Sequence, residues 1–423
     1  MGLRQETGRT LRAIPIAVMV SVLVVAVVHK RLHQGPGAGA RASTALEVPT
    51  PSAPSSSVAP LTAPAAPAVS GVGVEGARMF HGGPGHAHVS AARGPRSARV
   101  RWTTKGLGPI AAQVVAAPDE ATLYVASLGG ALHALQRSDG AQKYTVPLGD
   151  RVYSTPFVAN DGAVFVGTDA KQLVALDGER VRFRLELDGE ADSGVNQLSD
   201  GTLVFAAGAT LYGVSPRGDL KFRFRAKKKI YSQPAVTPSG MVVFGSQDDH
   251  VYALRQGELL WATNVGADVD CAPSIGADGS IFVGTDKGEV LKLDEQGAIK
   301  WRSSVGGFVR GGLTLAHNGD VLVGTYGPAP RVARLGPTGA ITGAFGIQGT
   351  GAREFGVHGS PLEDREGAVY FGSQDNAAYG VGPSGQLLFR HETGADVDAP
   401  LTLLSDGSLV IPSEDGSVTL LDP

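Results

Sequence analysis

Cysteine is almost absent from this chain: Cys271 is the only one in 423 residues. No intrachain disulfide can form, and every metal or redox motif built from several cysteines is excluded. A charge imbalance is missing too. With 37 basic and 40 acidic residues the formal net charge is -3, too weak to point to nucleic acid. Nor is there a Ser-His-Asp spacing, nucleophile elbow, phosphate-cradling loop or zinc motif, so no catalytic residue is assigned and a non-enzymatic protein is expected. Long apolar runs are lacking except for one near the N-terminus.

What the chain has in excess is glycine, 59 residues, together with 26 prolines and a hydrophobic content of 42%, enough for a real core. Glycine-rich and β-branched-rich sequence of this kind predicts many short strands and tight turns.

The apolar run is Ile14 to Val28, preceded by Arg4, Arg9 and Arg12 and followed by His29, Lys30 and Arg31. Its length suits a signal sequence or a short membrane span. The nearest small-residue cleavage site, Ala38–Ala40, lies beyond the basic residues, which favours an uncleaved signal anchor with a cytoplasmic N-terminus over a cleaved signal peptide. The domain reading is therefore a cytoplasmic N-terminus over 1–12, a transmembrane signal anchor over 13–29, a disordered Ala/Pro/Gly-rich linker over 30–97 and a folded domain over 98–423. The linker cannot bury enough surface to offset its ordering entropy, and about 60 such residues average roughly 45 Å end to end. His81, His86 and His88 near its end are read as solvated, with weak metal binding the less favoured alternative.

A turn dipeptide recurs between two apolar runs: Asp161-Gly162, Asp200-Gly201, Ser239-Gly240, Asp278-Gly279, Asn318-Gly319, Glu366-Gly367 and Asp406-Gly407, with Asp119-Glu120 in the same place earlier. The spacings are 42, 39, 39, 39, 40, 48 and 40, which gives eight units. Within one unit, Ala272 to Trp301, three turns separate four strand-like runs, the content of a propeller blade. A second marker has the same period. Tyr144, Phe183, Phe222, Trp261, Trp301 and Phe389 each follow the third turn of a unit, Gly343 and Phe345 stand there in the sixth, and Trp102 is the eighth aromatic. These are the candidate blade-packing aromatics. The chain stops after three strands of the last unit, so the strand around Trp102 is expected to supply the fourth and close the ring. The fold class is all-β, an eight-bladed β-propeller.

The pattern A-L-D-x-x-x-G-x-x-x-W/F with V-G-T-D before it, clearest from Leu176-Asp177 to Phe183 and from Leu293-Asp294 to Trp301, resembles the pyrroloquinoline-quinone-type propeller repeat. Two groups carry that repeat: quinoprotein alcohol dehydrogenases and the non-enzymatic propeller lipoprotein of the outer-membrane β-barrel assembly machinery. The first group implies the quinone cofactor, calcium and an adjacent cysteine pair, which a single Cys271 cannot provide. The eight near-bare blades are more similar to the assembly-machinery scaffold, although its acylated cysteine anchor is replaced here by a hydrophobic run. No cofactor is expected, and no functional residue is carried over.

In a propeller the loop entering each first strand faces the channel mouth. That position holds Tyr153, Asp192, Tyr231, Asp270, Arg310, His358 and Asp398, a set that varies on a periodic frame and so is the candidate binding surface. Two units share Gly266-Ala-Asp-Val-Asp270 and Gly394-Ala-Asp-Val-Asp398. Asp268, Asp270, Asp396 and Asp398 are weak candidates for a hard cation, with loop hydrogen bonding the favoured account. Arg223, Arg225 and Lys227 to Lys229 form a basic stretch, and 342–355 is extra length in unit six.

The function expected is a monomeric, membrane-tethered, extracytoplasmic (periplasmic) propeller acting as a protein-interaction scaffold or ligand-binding module for envelope proteins. A quinone-dependent oxidoreductase and a polysaccharide-binding or polysaccharide-processing propeller are the alternatives.

Overall fold

A computed structural model describes residues 76–423, and the apolar run and the residues up to 75 lie outside it. Among the described residues no helix is long and apolar enough to cross a membrane. The strands form eight four-stranded antiparallel sheets. Blades 1 to 7 occupy 115–147, 157–186, 196–225, 235–264, 274–304, 314–346 and 362–392. Blade 8 combines Thr402–Leu403, Leu409–Pro412 and Val418–Leu421 with the N-terminal strand Val100–Thr104. Trp102 pairs with Leu420 and Thr104 with Val418, so the outer strand of the last blade comes from the start of the domain.

The recurring dipeptides are the turns between the first and second strands. The aspartate at the turn accepts the amide two residues on, as in Ala163 N to Asp161 Oδ1 (3.1 Å), Thr202 N to Asp200 Oδ1 (2.9 Å) and Ser408 N to Asp406 Oδ1 (2.9 Å). The next residue has a left-handed backbone, φ +84° at Gly162, which explains the glycine; Glu120 takes φ 53° in blade 1.

The second strands are apolar on both faces because each blade is covered on both sides. Buried side chains fall into eight clusters, each shared by two neighbouring blades. The cluster that closes the circle joins Trp102, Val410, Val418 and Leu420 of blade 8 to Val114, Leu123, Val125 and Leu135 of blade 1.

The outer-strand aromatics sit at the seams between blades. A Cβ placed on Gly140, Gly218, Gly257, Gly297 or Gly339 would meet the ring of Trp102, Phe183, Phe222, Trp261 or Trp301 of the preceding blade. The three indoles also donate across the seam, Trp102 to Arg137 O (2.8 Å), Trp261 to Glu295 O (2.8 Å) and Trp301 to Pro337 O (3.1 Å). Tyr144 packs against the cluster of blades 1 and 2, and Phe389 belongs to that of blades 7 and 8. Nearer the axis, hydroxyls of one blade donate to carbonyls of the next: Ser154 to Ser193 O (2.8 Å), Ser232 to Cys271 O (2.9 Å) and Ser274 to Leu313 O (2.8 Å).

One boundary is corrected. Residues 76–97, assigned to a disordered linker, are packed on the propeller, 77–88 inside the ring and 89–97 across blade 7. The segment runs around the channel and caps the free edges of the innermost strands with its carbonyls. Val158 N donates to Arg78 O (2.9 Å), Val236 N to Pro84 O (2.8 Å), Ile275 N to Gly85 O (2.8 Å), Leu315 N to Ala87 O (2.9 Å) and Glu363 N to His88 O (3.2 Å). Asn196 reaches the Pro84 carbonyl with its side-chain amide (2.9 Å). The chain then crosses blade 7, where Arg96 Nη1 and the Gly94 amide hold the fully buried Asp364 carboxylate at 2.7 and 2.9 Å, and enters Val100–Thr104. Burial would raise the pKa of Asp364, but Arg96 and the surrounding amides bring it below the ordinary carboxylate range.

Candidate functional site: a blind cavity at the channel mouth

The same segment makes the channel a cup. His81, His86 and His88, read as solvated, are each only 2% exposed. Phe80 stacks on His81 (3.7 Å between ring centroids) and His81 on His88 (3.9 Å), with His86 edge-on to Phe80 (5.0 Å). Each of the three histidines has a positive φ, between 53° and 57°, a conformation held by the surrounding ring. Burial pushes the imidazoles down, to about 4 at His86 and His88. Phe80 forms the floor of a cavity of about 680 Å³ at the other side.

All seven positions read from the loop entering each first strand, Tyr153, Asp192, Tyr231, Asp270, Arg310, His358 and Asp398, line this one cavity. Their convergence follows from the frame, because each occupies the same place in its own blade. Second-to-third-strand and outer-strand loops bring further charge: Arg151, Asp169, Glu190, Lys229 and Glu414. Lys229, the last residue of the basic stretch, turns inward to Glu190 (2.8 Å) and Tyr231 Oη (3.0 Å). Despite its burial, these partners hold its ammonium above the ordinary lysine value.

The two Asp-Val-Asp loops explain another repeated motif. Gln247 of Ser246-Gln-Asp248 donates to Asp270 Oδ2 (3.3 Å), and Gln374 of Ser373-Gln-Asp375 donates to Asp398 Oδ2 (3.0 Å). The aspartates of those motifs work locally: Asp248 Oδ2 accepts the Lys227 amide (2.9 Å) and the Tyr252 hydroxyl (2.7 Å). Asp268 and Asp396 flank the mouth aspartates. Among the described residues no three His, Cys, Asp or Glu side chains are gathered to hold a metal ion.

Four carboxyl groups in and beside the cavity are raised, whereas Lys229 lowers that of Glu190. Burial, then Asp192, pushes Asp169 up to about 7. Burial, then Asp286, takes Asp270 to about 6. Burial with Asp398 as neighbour takes Asp396 to about 6 and Glu414 to about 7. Arg310 is fixed by Asp286 (2.9 Å) and lies over the rings of Phe308 (4.7 Å) and Tyr326 (5.7 Å). The extra length of blade six returns along this wall. Gly327 N donates to Phe355 O (2.8 Å), and the Arg353 guanidinium covers Phe308 (5.3 Å). His358 packs edge-on to Tyr326 (5.5 Å). Ser360, two residues on, accepts the Gly312 amide through its hydroxyl (2.6 Å), a link between blades. Cys271 is fully buried and its thiol is pushed up to about 12 by that burial, so it is an inert core residue.

The mouth set was legible because it is periodic. Asp169, Glu190 and Glu414 were not, since they lie in loops of varied composition. Only the recurrence of Ser-Gln-Asp at 246–248 and 373–375 alongside the two Asp-Val-Asp loops could have pointed to Gln247 and Gln374.

Residues 86–182 and 247–338 match the family model described as outer membrane protein assembly factor BamB. No curated protein matches the chain in sequence. Among solved structures the chain is similar to BamB from Moraxella catarrhalis, with 17% identity and a TM-score of 0.61 over 75% of this chain and 97% of that one. It is also similar to Sqt1 from Saccharomyces cerevisiae, with 11% identity and a TM-score of 0.66 over 77% of this chain and 99% of that one. At these identities the two structures speak for the fold alone. Together with the forty-residue repeat, the matched stretches make this chain an eight-bladed β-propeller whose repeats are similar to those of the pyrroloquinoline-quinone-type, BamB-like propellers.

Proposed function

We propose that the chain is a non-enzymatic propeller tethered to the extracytoplasmic side of a membrane by residues 13–29, and that it works as a protein-interaction scaffold in the cell envelope. The observation that carries the reading is the mouth: the positions that vary from blade to blade on a constant frame converge on one blind cavity. The family model's description as an assembly factor supports a role in holding other proteins. The basic residues Arg4, Arg9 and Arg12 before the apolar run support the orientation. Gly76 and Ala77 lie beside the first turns of blades 1 and 8, on the side of the histidine stack away from the mouth, so a membrane tether attached there would leave the mouth turned toward partners.

The test is crosslinking in intact cells with a photoreactive residue at Tyr153 or Tyr231, both more than a third exposed at the mouth. Specific envelope proteins should be captured there and not from a residue on the outer strands such as Glu258. Protease added to spheroplasts should degrade the propeller only when it has access to the outer side. Absence of mouth-specific capture, or a propeller protected in spheroplasts, would overturn the reading.

A further inference from the structure

We infer that the mouth cavity binds an organic cation, an alkylammonium or guanidinium group such as a lysine or arginine side chain or a polyamine presents. The inference rests on the reading of the mouth as the binding surface and names the chemistry that enters it.

The argument begins with charge. Six carboxylates line the cavity, Asp169, Glu190, Asp192, Asp270, Asp398 and Glu414, against three cationic side chains. Each of those three is already engaged: Arg151 with Asp169 (3.0 Å), Lys229 with Glu190 (2.8 Å) and Arg310 with Asp286 (2.9 Å). Asp169 and Glu414, raised to about 7, carry only part of a charge at neutral pH, and the four other carboxylates still outnumber the three cations, so the surplus is negative.

Hydrogen bonding narrows the class further. Four buried side-chain atoms of the cavity wall have no partner: Asp169 Oδ1, Gln233 Oε1, Asp270 Oδ1 and Asp398 Oδ1. All four are acceptors, and the Asp169 side chain is only 6% exposed. Buried acceptors left unpaired are costly, and the remedy is a guest rich in donors. An ammonium offers three N–H donors and a guanidinium five, with no acceptor to clash with the carboxylates. A sugar brings as many acceptors as donors and leaves the surplus charge unmet. A bare metal ion is disfavoured by geometry, because the four oxygens belong to blade 2 and to the entries of blades 4, 5 and 8 and lie on separate walls.

The aromatic lining agrees. Tyr153 and Tyr231 already carry Arg151 (5.8 Å) and Lys229 (4.6 Å) over their rings, so the mouth presents π faces in a field that accepts cations. Both residues also keep more than a third of their surface exposed.

The full-length protein in detergent, titrated calorimetrically at physiological ionic strength, tests this. The probes are a peptide of alternating glycine and lysine, the same peptide with its lysines acetylated, and spermidine. The free-amine peptide or spermidine should bind and the acetylated peptide should not. Asp270→Asn and Asp398→Asn should each weaken binding by about tenfold or more, while Glu392→Gln, on the exposed outer strand, should not. Thermal melting of each variant verifies that the ring is intact. Binding of the peptide but not spermidine assigns the cation to a protein segment, and the reverse assigns it to a small molecule; either supports the inference. No binding by either amine overturns it, as does binding equal in all variants. If photocrosslinking at Tyr231 still captures a partner in that case, the scaffold reading stands and the cation chemistry alone falls.

Discussion

Trp102 donates its indole N–H to the carbonyl of Arg137 across the seam between the last blade and the first, at 2.8 Å. Its backbone pairs with Leu420 of blade 8 while its ring packs on Gly140 of blade 1. One residue thus joins the two ends of the chain's circle. Trp102→Ala should cost about 3–5 kcal/mol in urea unfolding, and Trp102→Phe about 1 kcal/mol, the value of one hydrogen bond. Equal losses for the two would mean that the ring's packing contributes nothing to closure.

The floor of the cup is sensitive to small changes beneath it. Gly312 lies against the His81 ring so closely that an added Cβ would overlap Cε1. Gly312→Ala should therefore destabilise by about 1–3 kcal/mol through overpacking, and His81→Ala in the same background should recover part of that loss. A double-mutant cycle reads the coupling. Additive effects would place the imidazole elsewhere.

The buried histidines set an acid limit. His86 and His88 titrate at about 4 when folded, against 6.5 ordinarily. The unfolded chain takes up their protons first, so stability is present above pH 6.5 and is lost as the pH falls through 4, by about 3 kcal/mol for each residue at most. His86→Asn should flatten the fall in melting temperature between pH 6.5 and 4 relative to the natural chain. An unchanged acid slope would contradict the burial of this residue.

The raised carboxyl of Glu414 acts with the opposite sign. Glu414 is raised from 4.5 to about 7, so the folded chain holds its proton longer than the unfolded one. Stability therefore declines as the pH rises from 4.5 to 7 and stays reduced above that. Glu414→Gln should raise stability at pH 8 by roughly 1 kcal/mol, less than the full shift because solvent screens this partly exposed group. At pH 4 the substitution should be neutral. A loss at pH 8 would show that the ionised carboxylate is stabilised by a partner.

The ring was legible because its signals repeat. Asp161 and Gly162 mark a turn for local reasons, an accepted amide and a left-handed φ, and the same local reason recurs along the chain. Trp261 and Trp301 could be placed at seams because a large ring at a fixed spacing needs a neighbouring blade to cover it. Residues 76–97 were misread for a physical reason as well. Their role is carried by backbone carbonyls at Arg78, Pro84, Gly85 and Ala87, which leave no trace in side-chain periodicity. Their composition is that of a linker, and only a closed ring supplies the edges they cap. The acceptor surplus was legible only in part: Asp270 and Asp398 belong to the periodic mouth set, whereas Asp169 lies in a loop of varied composition and joins them only once the circle closes.

Hydrogen exchange at the innermost strands tests the central claim, that residues 77–88 seal the channel of a closed eight-bladed ring. The amides of Val236, Ile275 and Leu315 have their acceptors only in Pro84, Gly85 and Ala87 of that segment. They should exchange as slowly as the second-strand amides of the same blades. Rapid exchange at these three positions in an otherwise protected propeller would contradict it.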